Sequence, residues 1–137
     1  MAYDDRFRLS CHGVILRQGA VEMEVLLLKA SYGSRSWGLP GGALEPGETI
    51  HQALIRECNE ELGLLVEVQY LSGVYYHSAY DSQAFIFRCE VDESAVIILS
   101  DEHTEFRFVA ISALSAVQKA RVLDCIEYTG SVVSRKF

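Results

Sequence analysis

GALEPGETIHQALIRECNEELGL, residues 42–64, places a glycine-rich loop directly before a helix that ends in clustered carboxylates. Thr49 and Gln52 have the spacing of a capping box, in which the threonine hydroxyl accepts from a free backbone amide and the glutamine side chain reaches back. Gly63 predicts the end of the helix, because glycine adopts positive φ without a side-chain penalty. The sequence therefore predicts one helix between Thr49 and Gly63.

Three carboxylates cluster near the end of this predicted helix. Glu57, Glu60 and Glu61 stand at i, i+3 and i+4, which places them on one face roughly 100° wide. Like charges at this spacing destabilise a helix, so the cluster calls for a compensating charge. A hard dication such as Mg²⁺ or Mn²⁺ prefers oxygen ligands and would supply it. The alternative is a solvated acidic face on a surface helix.

A longer pattern surrounds the carboxylates. Its fixed residues are Gly42, Glu48, Arg56, Glu57, Glu60, Glu61 and Gly63, at the spacing G-x5-E-x7-R-E-U-x-E-E-x-G-U, where U is a bulky aliphatic residue. This pattern resembles the signature of the Nudix hydrolase family. Leu64 fits the last U, whereas Cys58 departs from the first, although cysteine packs as a small hydrophobe. The preceding WGLPGG, residues 37–42, is similar to MutT-like members of that family.

The resemblance implies a fold and a reaction. The implied fold is α/β, a Nudix-type α/β/α sandwich with a mixed central sheet; the residues alone indicate only one sheet layer with helices packed on it. The implied reaction is Mg²⁺-dependent hydrolysis of a phosphoanhydride in a nucleoside diphosphate linked to a group X, with Mn²⁺ as a substitute. A MutT-like nucleoside triphosphate pyrophosphatase is the first choice. ADP-ribose or dinucleoside polyphosphate hydrolysis is the alternative, and a non-catalytic nucleotide-sensing module is the alternative of another class.

The resemblance also implies roles for individual residues. Glu57, Glu60 and Glu61, with a backbone carbonyl of Gly41 or Gly42, would hold the metal. In family members the arginine at the position of Arg56 orients these glutamates, and Glu48 would steady the loop. The catalytic candidates are Glu57, Glu60 and Glu102; Glu60 or Glu102 would act as the base, with Glu105 as the runner-up to Glu102.

Four residues are candidates for binding the substrate. Arg35 lies in the predicted loop 31–36, and a guanidinium is a usual partner of phosphate. Gly41 and Gly42 allow backbone to approach a ligand closely. Tyr76 belongs to a group of tyrosines that could stack on a base, although tyrosine is also an ordinary strand residue. For His103 we expect a polar surface position.

Length, charge and cysteine content limit the function classes. The 137 residues are expected to form one domain, 1–137. A net charge of −7 argues against a nucleic-acid polymer or an anionic membrane as partner and leaves a small nucleotide or nucleotide-sugar substrate. Four scattered cysteines indicate reduced core residues, and the first residues lack an apolar leader, so we expect a cytoplasmic protein. The family resemblance adds a possible homodimer.

Hydrophobic patterning predicts the remaining elements. Strands are expected over 7–17, 22–30, 65–77, 83–91 and 106–111, with a central position for the strand that contains Val25–Leu28. Residues 114–128 are expected to form an amphipathic helix that covers a face of the sheet. The final residues, 135–137, are expected to be a frayed tail.

Overall fold

A computed structural model describes residues 2–137. It contains eight strands and two α-helices in these residues, with single turns of 3-10 helix at Ala2–Asp4 and Ile111–Ala113. The elements are β1 (Arg8–Gln18), β2 (Met23–Ala30), β3 (Trp37–Gly38), β4 (Gly41–Ala43), α1 (Ile50–Leu62), β5 (Glu67–His77), β6 (Ser82–Glu90), β7 (His103–Ala110), α2 (Ala116–Ile126) and β8 (Val133–Lys136).

The strands form a mixed sheet in the order β3-β2-β1-β6-β5-β8, with β4 paired to β1 and β7 paired to β2. The β1–β6 and β5–β8 pairs are parallel, whereas the other pairs are antiparallel. β1 therefore joins the two parts of the sheet, because its first eight residues, 8–15, pair with β6 and its last three residues pair with β2.

The two helices cover opposite faces of the sheet. Cys11 and Ile15 of β1 pack with residues of α1, including Leu54 and Leu62. Val14 points to the other face and joins the cluster that contains Val122 and Cys125 of α2. Because side chains alternate along a strand, the two clusters lie on either side of β1. The predicted α/β/α arrangement with a mixed sheet is confirmed.

The ends of α1 follow the sequence prediction closely. Thr49 accepts from the backbone amide of Gln52, and the Gln52 side chain accepts from the amide of Thr49, so both halves of the capping box form. Gly63 has a φ of 67° and its amide donates to the carbonyl of Asn59. This loop–helix unit therefore derives both of its boundaries from local chemistry.

Other boundaries differ from the prediction. β7 begins at His103, three residues earlier than expected, because it pairs with β2 as far as Ala30. α2 begins only after Ser115, whose hydroxyl accepts from the amide of Gln118. The short strands β3 and β4 lay within the segment expected to be loop and turn, since two or three residues carry no periodicity. No helix within residues 2–137 is long and apolar enough to cross a membrane.

The prediction of a frayed end at 135–137 was wrong. Residues Val133–Lys136 form β8, which pairs in parallel with β5. Arg135 donates from Nε and Nη2 to the two carboxylate oxygens of Asp124 on α2, each at 2.7 Å. The Tyr75 hydroxyl donates to the same carboxylate at 2.9 Å. An ion pair between distant residues thus anchors this strand, and local sequence pattern does not reveal it.

We predict that Arg135→Gln lowers the free energy of unfolding modestly at pH 7, because the guanidinium is half exposed and solvent-exposed ion pairs stabilise little. The Arg135 guanidinium holds the pKa of Asp124 below its usual range. The stabilisation is therefore present above the pKa of the unfolded chain, about 3.9, and is lost as the pH falls through the lower folded value. Urea unfolding at pH 7 and pH 3 measures it.

Lys136→Gln is the matched control, since it removes a neighbouring positive charge from the same exposed strand. It should change the free energy of unfolding little at either pH. An Arg135→Gln effect of equal size at both pH values would contradict the role of the ion pair.

Candidate functional site

The glycine loop packs directly on α1. The Gly41 amide donates to Oε1 of Glu61 at 2.8 Å. A Cβ added to Gly42 would lie 2.6 Å from Cδ of Glu57, closer than side-chain atoms pack. Gly41 has a φ of 142°, and a Cβ there would meet the Cys11 carbonyl oxygen at 2.0 Å. Gly41 therefore requires glycine, whereas a side chain at Gly42 would displace the Glu57 carboxyl, because β4 lies between β1 and the carboxylates of α1.

Arg56 joins the loop to the helix. Its Nε and Nη2 donate to the Glu48 carboxylate at 2.7 and 2.9 Å, and Nη2 also donates to the Ala43 carbonyl at 3.2 Å. Its Nη1 contacts Glu57 at 3.0 Å and Glu60 at 3.3 Å. One guanidinium therefore neutralises part of the repulsion within the cluster and orients two of its members.

Glu61 is the most buried member of the cluster, with 3% of its surface exposed. Its second oxygen lies 3.2 Å from Nε2 of His103. Burial, together with the charges of Glu57, Glu102 and Glu60, raises the pKa of Glu61 to about 8, against the lowering effect of the Gly41 amide. Burial lowers the pKa of His103. His103 therefore faces the cluster, and the expectation of a polar surface position was wrong.

The other carboxylates differ in exposure. Burial is the main cause that raises the pKa of Glu57, and Glu60 and Glu102 raise it further against the Arg56 contacts. Glu60 is the exposed member, with 58% of its side chain accessible. Glu102 precedes β7 immediately and lies close enough for its charge to act on Glu57 and Glu61. Glu105 pairs with Lys29 further along the sheet.

The donor set fits a hard divalent cation in its chemistry. Burial is the main cause that raises the pKa of Glu57 and Glu61, and the charges of neighbouring carboxylates raise both further, which indicates negative charge without full compensation. In residues 2–137, however, no three acidic, histidine or cysteine side chains converge as a ligand cage. Arg56 engages Glu57 and Glu60, and Glu61 faces Gly41 and His103. Binding would therefore require these carboxylates to change partners.

A cavity of about 510 Å³ opens on the α2 side of the sheet, across β4 from the carboxylate cluster. Gly42 and Ala43 line it, and Gly42 also abuts the Glu57 carboxyl. The cavity is also lined by Ser10, His12, His77, Ser82 and Arg121. This volume lies within the range that small ligands occupy. The backbone of Gly42 and Ala43 therefore lies between this polar cavity and the acidic ridge, the face of α1 that carries Glu57, Glu60 and Glu61.

The structure distributes the predicted substrate-binding residues unequally. Gly41 and Gly42 lie at the cluster, as described. Arg35 is exposed, with a φ of 54°, in the loop between Tyr32 and Ser36, which line the cavity. Tyr76 lies apart, in a separate depression with Gln83 and Lys136, and its hydroxyl donates to Asp81. The structure therefore does not bring Tyr76 to the cluster or the cavity.

Sequence reasoning missed His12 and Arg121, which lie in the cavity. His12 belongs to an ordinary strand pattern and gave no signal. Arg121 did give one: it precedes Val122 and stands four residues before Cys125, both fully buried. A charged residue on the apolar face of a helix is an exception to amphipathic patterning and marks a candidate functional residue.

Fold and site together define a class of α/β/α proteins in which a helix with clustered carboxylates follows a glycine loop. The sequence model of the family described as "NUDIX domain" matches residues 8–124 of this chain. The chain therefore belongs to the NUDIX domain family and is a Nudix hydrolase, as the sequence predicted. Nudix hydrolases generally use divalent metal ions.

Known relatives agree with this membership. The chain is 32% identical over 126 residues to a MutT-like protein of Streptomyces ambofaciens, covering 89% of this chain and 79% of that protein. It is 38% identical over 74 residues to an ADP-ribose pyrophosphatase of Methanocaldococcus jannaschii, covering 51% of this chain but only 44% of the relative. A crystal structure of a Nudix hydrolase from Nitrosomonas europaea superposes with a TM-score of 0.78 at 19% identity, over 97% and 80% of the two chains.

We predict that Gly42→Ala displaces the Glu57 carboxyl, because the new methyl group would occupy its place. Hydrolytic activity should fall at least about tenfold, since misplacement on the order of 1 Å costs about a hundredfold in positioned chemistry. Gly38→Ala is the matched control, as a Cβ there meets no atom within 4 Å. Steady-state kinetics of both variants measure the difference, and equal activities would contradict the packing argument.

Proposed function

We propose that this chain hydrolyses a phosphoanhydride bond in a nucleoside diphosphate linked to a group X, with Mg²⁺ as cofactor and Mn²⁺ as a substitute. The observation that carries the proposal is the continuity of site and cavity: Gly42 lines the cavity and abuts the Glu57 carboxyl. A substrate in the cavity that extends across β4 would bring its diphosphate to the carboxylates of α1, where only a cation makes such an approach favourable.

Glu57, Glu60 and Glu61, with backbone of Gly41, are the residues that would hold the metal. When bound, Mg²⁺ supplies positive charge that neutralises the diphosphate and acidifies water. Arg56 keeps Glu57 and Glu60 oriented through its anchor on Glu48. Gly41 and Gly42 let the phosphates approach the backbone, which a side chain would prevent.

A carboxylate accepts the proton of the attacking water. Glu60 is exposed on the ridge, and Glu102 stands immediately before β7 with its charge felt by Glu57 and Glu61. Either can serve as the base, since both are carboxylates beside the cluster. Glu105, paired opposite Lys29, is the weaker candidate.

The substrate is a small nucleotide or nucleotide sugar. The resemblance of WGLPGG, residues 37–42, to MutT-like members of the family favours a nucleoside triphosphate, and the ADP-ribose pyrophosphatase among the relatives supports ADP-ribose as the alternative. A structural neighbour, an Ap4A hydrolase of C. elegans, keeps dinucleoside polyphosphates as a further alternative. A screen of these compounds with Mg²⁺, detecting inorganic phosphate and pyrophosphate separately, tests the class and the metal requirement together.

A homodimer is part of the proposal and is tested by light scattering.

We predict that Glu60→Gln lowers turnover at least about a hundredfold, since it removes one charge at nearly constant volume from the metal ligands or the base. The thermal midpoint should change little, because Glu60 is exposed and its contact with Arg56 is a surface pair. Glu67→Gln, on the exposed start of β5, is the control. Unchanged turnover in Glu60→Gln would overturn the assignment.

A second pair of variants separates the candidate bases. If Glu102 accepts the proton, Glu102→Gln lowers kcat about a hundredfold or more and removes the acid limb of the pH–rate profile. Glu105→Gln should leave both unchanged, because that residue faces Lys29 in the sheet. A normal acid limb in Glu102→Gln would assign the base to Glu60.

A further inference from the structure

The cavity contains a buried arginine whose Nε has no partner in the described part of the chain. Arg121 is 8% exposed, and its Nε has no hydrogen-bond partner among residues 2–137. Asp124, one helical turn further on, is already engaged by Arg135 and Tyr75. An uncompensated buried charge is strongly unfavourable, so such a residue marks a site that a ligand completes.

The surroundings of Arg121 favour an anion. A second arginine, Arg8, lies at the rim of the cavity. Among residues 2–137, no carboxylate lines this cavity. Burial, together with the charge of Arg121, lowers the pKa of His12 to about 3, so this histidine is neutral at pH 7. Burial, with a contribution from Arg121, also lowers the pKa of His77. In a chain with a net charge of −7, this cavity is locally positive.

The cavity also supplies neutral hydrogen-bond donors. The hydroxyls of Ser10 and Ser82 line it, and Nε2 of His12 lies 3.1 Å from Oγ of Ser10. Hydroxyls and a planar guanidinium are the groups that bind phosphate and carboxylate oxygens with directional hydrogen bonds. Charge and donors therefore point to the same ligand chemistry.

We propose that Arg121 is a specificity-determining residue that binds an anionic group of the substrate, a phosphate or carboxylate outside the bond that is hydrolysed. This inference rests on the proposed function and narrows its substrate class. Nucleoside triphosphates and dinucleoside polyphosphates carry such an additional anion. ADP-ribose carries a neutral sugar as its group X and does not fit.

The first test requires no catalysis. Inorganic phosphate is titrated into the metal-free, isotope-labelled protein, and backbone amide shifts are followed by NMR. We expect saturable shifts at His12, His77, Ser82 and Arg121, which Arg121→Gln abolishes and Arg121→Lys weakens. Arg107→Gln removes a charge next to Trp37, in a different cavity, and should leave the titration unchanged. Absence of saturable shifts in the cavity would overturn the proposal even in an active enzyme.

The second test uses pairs of compounds that differ by one anionic group: coenzyme A with its 3′-dephospho form, and UDP-glucuronate with UDP-glucose. We expect the more anionic member to have the higher kcat/KM, or the lower Kd where it is not cleaved. Arg121→Gln should reduce that preference about tenfold or more, whereas Arg107→Gln preserves it. A merely structural role would lower both members equally.

The outcomes of the two tests are distinguishable. Phosphate binding in the cavity without discrimination in either pair would overturn the role of Arg121 in specificity. A protein that hydrolyses no nucleotide but binds phosphate at Arg121 would overturn the proposed function and leave the anion site standing. Equal loss for both members of a pair in Arg121→Gln would also contradict the proposal.

Discussion

The site depends on holding several carboxylates close together on one helical face. Left alone, Glu57, Glu60 and Glu61 would repel one another and splay into solvent. Two contacts oppose this: Arg56 engages Glu57 and Glu60, and the Gly41 amide donates to Glu61. Both contacts lie where α1 packs against the glycine loop. The loop, the helix and the sheet strand beneath them are therefore parts of one electrostatic arrangement.

The sheet explains why the glycine loop packs so closely against α1. β4 pairs with β1 on one side and lies against Glu57 on the other, so a side chain at Gly41 would overlap the β1 backbone and one at Gly42 would displace the Glu57 carboxyl. The side chain of His12 on β1 lies on the opposite face of the sheet, where α2 supplies Arg121. Two faces with opposite charge thus meet at β4. Such an arrangement suits a ligand that carries a diphosphate to the ridge and further negative charge to the cavity.

Local chemistry made part of this structure predictable. Capping residues, helical spacing and Gly63 define α1 from the sequence alone, since each acts within a few residues. The paired β8 and the burial of His103 were not predictable in this way. They arise from contacts with β5 and Glu61, which are far away in sequence. Tyr76 was selected for its residue type, and the pleat of β5 directs it away from the cavity.

The central claim is that the acidic ridge of α1 binds a divalent metal ion. Crystals soaked in Mn²⁺ and measured at its absorption edge test this claim directly. We expect anomalous density within coordination distance of oxygens from at least two of Glu57, Glu60 and Glu61, with Arg56 released from one of them. Anomalous density absent from the ridge, with Arg56 still bound to Glu57 and Glu60, would contradict the account.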